Sequence, residues 1–216
     1  AAGVRRFIHV GTEAALFAGQ DLINADASAP YPPPHRYLYS ETKAEAERLV
    51  LQANAAEFTT LSIRPRFVWG PRDTSVLPAI LKLAKAGSFA WIGGGRFLTS
   101  TCHIANVVEG ALLAADKGTP GEIYFLTDGE PVEFRAFLNE IMLANGIDAG
   151  TRTVPRWLAR TAAALTGWMK SPPVTKTELA LIGNEVTVVD AKARRELGYL
   201  GAMTRERGLA EIRGHQ

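Results

Sequence analysis

The stretch from Arg5 to Thr12, RRFIHVGT, decides the reading of this chain. Arg6 to Gly11 is a short apolar run closed by glycine, and its length suits a buried strand rather than a helix. A polar loop with Asp21, Asn24, Asp26 and Ser28 follows. It ends in Pro30-Tyr-Pro-Pro-Pro34, which cannot be helix interior. From about Tyr39 to Ala53 the composition turns helical. Ala44, Ala46, Leu49, Val50 and Ala53 recur at helical spacing, and Glu41, Glu45 and Glu47 sit toward the N-terminal half, where the helix dipole favours them. Thr59 to Arg64 is a second buried strand, ended by Pro65. Farther out, helices are predicted over 76–86, 106–115 and 132–144, with a third buried strand over Glu122 to Leu126. Phe89 to Ile92 and Ser100 to Ile104 are short strands separated by a Gly93-Gly-Gly95 turn. Val186 to Val189 is a late strand, and Ala191 to Leu197 a short helix stopped by Gly198. Strands alternating with helices predict an α/β protein with a parallel sheet.

The chain has 216 residues, 47% apolar and 21% charged, with a formal net charge of +2. These are the proportions of a globular protein with a real core, which excludes disorder and fibrous repeats. The basic residues are dispersed, so composition gives no case for nucleic acid. No apolar stretch approaches the roughly 18–20 residues needed to span a bilayer. The stretch from Trp157 to Met169, WLARTAAALTGWM, reads as a helix covering a pocket or packed on a core. The one cysteine, Cys102, cannot form an internal disulfide, which favours the cytoplasm. It reads as an inert buried thiol, and His9 as a packed strand residue. Four histidines and one cysteine show no metal-ligand spacing.

The informative spacing is Tyr39-x-x-x-Lys43 at the start of a helix. Four residues make about 400° of rotation and roughly 6 Å of rise, so both side chains lie on one face. A phenol with an ordinary pKa near 10 is a poor base at neutral pH. A neighbouring ammonium favours the phenolate, which would make Tyr39 a general acid/base for a carbonyl or alcohol. Taken alone this spacing is common in ordinary surface pairs. Thr12 stands just past the end of the first strand, and ligands bind at the carboxyl ends of parallel strands. A hydroxyl there could hold the same substrate oxygen.

In these residues the chain resembles the extended branch of the short-chain dehydrogenase/reductase superfamily. The matching segments run in family order: RRFIHVGT over 5–12, YLYSETKAEAE over 37–47, LSIRPRFVWGP over 61–71, CHIANVV over 102–108 and AKARRELGY over 191–199. Within that branch it is most similar to the 3β-hydroxysteroid dehydrogenase-like group, of the NAD-dependent epimerase/dehydratase type. The resemblance implies the C-terminal portion of a doubly wound Rossmann-type parallel sheet with a small α/β substrate-binding subdomain. Residues 1–88 and 105–145 would belong to the dinucleotide-binding domain, and 89–104 and 146–216 to the subdomain.

The resemblance also implies roles. Tyr39 would exchange the proton, Lys43 would hold the nicotinamide ribose, and Thr12 would orient the substrate oxygen. Val10, Gly11, Pro65, Arg66, Phe67 and Val68 would border an NAD or NADP cofactor. His35, Arg72 and His103 would line the pocket for an apolar, steroid-like small molecule. Family members often form a homodimer through the helix that carries Tyr39 and Lys43. A sugar-nucleotide epimerase or dehydratase is the alternative. It is disfavoured because Thr99-Ser-Thr101 lacks the arginine that several such enzymes place there for a nucleotide phosphate. A third reading is an inactive or regulatory fragment. No Gly-rich G-x-G-x-x-G turn occurs in the sequence. By family order about four strands and their helices would precede Ala1, so the chain is expected to be part of a longer enzyme, with the Arg6–Gly11 strand lacking a neighbour.

Overall fold

The computed structural model describes residues 3–34, 37–74, 76–159, 161 and 182–214. The expected helix over Trp157 to Met169 lies largely outside them. In chain order the elements are β1 (Arg6–Val10), a 3-10 turn (Glu13–Leu16), β2 (Leu22–Ala25), α1 (Leu38–Gln52), β3 (Thr59–Pro65), β4 (Val68–Trp69) and α2 (Val76–Lys85). Then come β5 (Trp91–Ile92), β6 (Leu98–Thr99), β7 (Cys102–His103), α3 (Ile104–Lys117), β8 (Ile123–Leu126), β9 (Val132–Glu133) and α4 (Phe134–Ala144). The chain ends in β10 (Thr153–Val154), β11 (Val186–Val188), α5 (Ala191–Leu197) and α6 (Arg205–Gly214).

The central sheet has the order β1-β3-β8 and is parallel throughout, with Ile8 opposite Leu61 and Ile63 opposite Tyr124. Side chains alternate across a strand, and β3 uses both faces. Leu61 and Ile63 join the apolar cluster of Val107, Ala114, Tyr124 and Leu197 on the α3 side. Thr60, Ser62 and Arg64 face α1, where Thr60 Oγ1 donates to the Val50 carbonyl at 2.6 Å. These three polar residues are no more than 1% exposed. They are tolerated because α1 satisfies their hydrogen bonds. Helices on both faces of a parallel sheet make this an α/β fold of the doubly wound kind.

A second sheet has the order β2-β11-β6-β9, and there are two parallel pairs, β4-β7 and β10-β5. β2 falls in the loop that the sequence reading left polar. Leu22 is its one buried residue; the strand exists because β11 pairs beside it. α6 likewise has few apolar residues, and only Gly208 and Leu209 are buried. Helix α4 starts after Val132 and Glu133, which are drawn into β9 opposite Leu98 and Thr99. Gly93, Gly94 and Gly95 all take positive φ, as a turn requires. Among the described residues β1 pairs on one side only. Beside it Phe7 and Val10 are exposed, as are Ile104, Val108 and Leu112 of α3.

Helix α3 approaches the sheet through Gly110. A Cβ there would come 2.3 Å from Leu126 Cδ1 and 2.6 Å from Cδ2. A larger residue must displace the fully buried Leu126 side chain or push α3 off β8. Gly110→Val is therefore expected to destabilise the protein by about 1–3 kcal/mol, read as a lower urea midpoint. An unchanged midpoint would contradict this packing.

Candidate active site

The site is built where β1 and β3 end. Gly11 passes close to α1: a Cβ on it would lie 2.8 Å from Glu47 Oε1 and 3.0 Å from Ser62 Oγ. Thr12 then caps the 3-10 turn, its Oγ1 accepting from the Ala14 N–H at 3.2 Å. The same hydroxyl donates to Glu13 Oε2 at 2.9 Å. Glu13 Oε1 accepts from Arg66 Nη1 at 2.9 Å, and both charged residues are 3% exposed. This pair ties the turn after β1 to the chain leaving β3.

Tyr39, Lys43 and Glu47 follow at four-residue intervals, so they form one stripe along α1. The Lys43 ammonium stands 5.7 Å from the centre of the Tyr39 ring. Among the described residues no carboxylate lies within ion-pair distance of Lys43. Tyr39 is 46% exposed. Glu47 is wholly buried. It accepts from Arg64 Nε at 3.1 and 3.0 Å, from Tyr31 Oη at 2.6 Å and from Ser62 Oγ. Burial pushes the Glu47 carboxyl up, but Arg64, Ser62 and Tyr31 outweigh it and hold it below its ordinary value. Tyr31 moves the other way, to about 12, through burial and the Glu47 charge. His9 is half-buried on the same side. Burial lowers its pKa, Glu47 raises it and Lys43 lowers it, so both residues act on it.

Pro65 ends β3, and Phe67 takes a positive φ of 45° that turns the chain into β4. Phe67 packs edge-on against Phe134 and Phe137, and Val68 is partly exposed. Val10, Gly11, Thr12, Tyr39, Lys43, Pro65 and Arg66 thus lie on the elements that meet at this end of the sheet. Arg72 and His103 are placed elsewhere. Arg72 borders a cavity of about 380 Å³ with Leu77, Leu81, Ile141 and Ile212, just past β4. His103 is 1% exposed, packs edge-on to Trp69, and accepts from the Ala105 N–H at the start of α3. It is not among the residues of that cavity. Burial lowers its pKa, against the pull of Asp128 and Glu211. His35 lies outside the described residues. Cys102 is fully buried, which raises its pKa.

Sequence reading missed Glu13, Arg64 and the burial of Glu47. The only available signal was a carboxylate in register with Tyr39 and Lys43, read there as favourable to the helix dipole.

Comparison with known proteins adds the following. A family model described as the 3-beta hydroxysteroid dehydrogenase/isomerase family matches residues 1–156. A 4-hydroxy-2-methyl-3-oxo-4-farnesyl-3,4-dihydroquinoline-1-oxide ketoreductase of Stigmatella aurantiaca is 48% identical over 98% of this chain and 66% of its own. A 3-beta-hydroxysteroid dehydrogenase of Mycolicibacterium neoaurum is 32% identical over 97% of this chain and 61% of its own. The structure of a dTDP-glucose 4,6-dehydratase from Streptomyces venezuelae, with NAD bound, superposes with a TM-score of 0.70 at 21% identity. It covers 98% of this chain and 60% of that one, and shows a shared fold. The chain spans between about half and two thirds of the length of the curated relatives it matches.

The Glu47–Arg64 pair gives a pH signature. A carboxyl whose folded pKa lies below its unfolded value near 4.5 stabilises the fold above that value. The contribution is lost as pH falls through the folded pKa. Glu47→Gln should therefore be least stable relative to the parent at neutral pH and converge on it as the pH falls through the lowered folded pKa, in urea unfolding from neutral to acid pH. A constant gap would contradict the assignment.

Proposed function

Because this chain belongs to the 3-beta hydroxysteroid dehydrogenase/isomerase family, we propose that it carries the acid–base centre of an NAD- or NADP-dependent oxidoreductase. Its reaction interconverts a hydroxyl and a ketone on an apolar, 3β-hydroxysteroid-like substrate. The observation that carries this reading is the stripe of Tyr39 and Lys43 on α1, set beside the Thr12 turn by the contacts of Gly11 and Glu47. The names of the relatives, a ketoreductase and a hydroxysteroid dehydrogenase, support the reaction class.

The residues present fit the nicotinamide half of such a coenzyme. Lys43 offers an ammonium with no carboxylate beside it among the described residues, suited to ribose hydroxyls. The backbone from Pro65 to Val68 leaves β3 at the carboxyl end, where parallel sheets bind ligands. When bound, the coenzyme supplies or accepts the hydride. The chain's own residues do the rest. Tyr39 gives or takes the proton at the substrate oxygen, and Thr12 holds that oxygen in place. The proton leaves the alcohol as the carbonyl forms, and returns in reduction.

A nucleotide-sugar substrate is less well supported. Thr99, Ser100 and Thr101 are fully buried. Ser100 is bonded to Val188, and Thr101 to Asp128 and Arg205. That stretch holds the fold together rather than presenting itself to a phosphate.

Tyr39→Phe in the native full-length protein, supplied with NAD(P) and a 3β-hydroxysteroid, is expected to lower kcat by about 100-fold or more. Its urea midpoint should be unchanged, because the phenol is half exposed. Turnover near the parent's would refute the role of Tyr39.

A further inference from the structure

The Thr12 hydroxyl can be accounted for bond by bond. A hydroxyl has one proton and two lone pairs. Here the proton goes to Glu13 Oε2, and one lone pair accepts from the Ala14 N–H. One lone pair remains. In this state Thr12 offers an incoming ligand an acceptor and no donor. A substrate hydroxyl can donate into it. A ketone oxygen cannot, and must first draw the Thr12 proton away from Glu13.

Two features make that competition real. Glu13 is 3% exposed, so no bulk water stands ready to replace Thr12 on the carboxylate. Arg66, equally buried, donates to the other carboxylate oxygen and holds Glu13 in its orientation. A hydroxyl bonded to a carboxylate is held more strongly than one bonded to a neutral acceptor. The charge sits next in sequence to Thr12, and Arg66 next to Pro65, so both come with the strand ends themselves.

We infer that Glu13, clamped by Arg66, is a positioning residue that sets the Thr12 hydroxyl as an acceptor and so biases the site toward the alcohol over the ketone. The inference rests on the proposed function, since it takes Thr12 as the group that meets the substrate oxygen. Glu13→Gln is the informative substitution. Its amide oxygen can still accept from Arg66. Its amide N–H₂ then faces Thr12 as a donor, which releases the Thr12 proton toward the ligand.

The test measures the affinities of a 3β-hydroxysteroid and its 3-ketone for the native full-length protein. The alcohol is bound with reduced coenzyme and the ketone with oxidised coenzyme, so that neither turns over. Glu13→Gln is expected to shift the alcohol-to-ketone affinity ratio toward the ketone by about tenfold. In a Thr12→Ala background the same substitution should leave the ratio within about twofold. If Glu13→Gln does not fold, Glu13→Gln with Arg66→Met removes both buried charges together and should shift the ratio the same way. An unchanged ratio, or an equal shift without Thr12, would overturn the inference. Tyr39→Phe separates the two layers: retained turnover there sinks the proposed function, whereas an inactive Tyr39→Phe with an unmoved ratio sinks only the role of Glu13.

Discussion

The buried ion pair between Glu47 and Arg64 is the constraint on which the site depends. Taking two charges out of water costs several kcal/mol for each, and a well-packed apolar pair would often hold two elements together as firmly. What an apolar pair would not do is fix rotation. Glu47 receives hydrogen bonds from Arg64, Ser62 and Tyr31, which approach from β3 and from the loop before α1. These are directional. They set both how far α1 lies along β3 and which face it turns toward the sheet. Because Tyr39 and Lys43 share that face, the pair also sets where the phenol and ammonium stand. Gly11 completes the arrangement by letting the end of β1 pass within contact of the same carboxylate.

A second buried pair repeats the device at the turn that carries Thr12. Glu13 and Arg66 join the turn after β1 to the exit of β3. The central sheet brings those strand ends side by side through its parallel register, Val10 opposite Ile63. Two carboxylate–guanidinium pairs thus span the same junction. One orients a helix and the other a hydroxyl. The polar face of β3, which carries Arg64, is as dry as its apolar face, which is why the strand reads as continuous core although it alternates Thr, Leu, Ser, Ile and Arg.

Much of this was legible in the sequence, and the reasons differ by element. β1, β3, β8, α1 and α5 could be read because their patterns are local: apolar runs of strand length, helical spacing, and a Gly198 that takes the left-handed conformation at the end of α5. β2 could not be read, because its residues 23–25 are at least partly exposed and the strand depends on β11, more than 160 residues away. α6 was missed for a similar reason: it is held by Leu209 and Ile212 on the core and by Gly208 set against Trp69 and His103, too few apolar residues to mark a stripe in the sequence. Of the candidate site, the Tyr39–Lys43 spacing and the strand end at Thr12 were visible. The burial of Glu13 and Glu47 was not. A glutamate in a helix or turn reads as solvated unless the arginine that meets it is known, and Arg64 and Arg66 lie on the neighbouring strand and its exit. His103 shows the same limit: that it caps α3 and packs on Trp69 is not visible from its place before an Asn-Val helix start.

The central claim is that α1 and the β1 turn bring Tyr39, Lys43 and Thr12 to bear on one substrate oxygen beside the nicotinamide. The most direct measurement is a crystal structure of the native full-length protein with NAD(P) and a 3-ketosteroid bound. The account predicts the ketone oxygen within about 3 Å of both Tyr39 Oη and Thr12 Oγ1. It places the nicotinamide along Pro65 to Val68, with Lys43 on its ribose. A ketone oxygen held by other residues, or a nicotinamide away from the β3 exit, would contradict it.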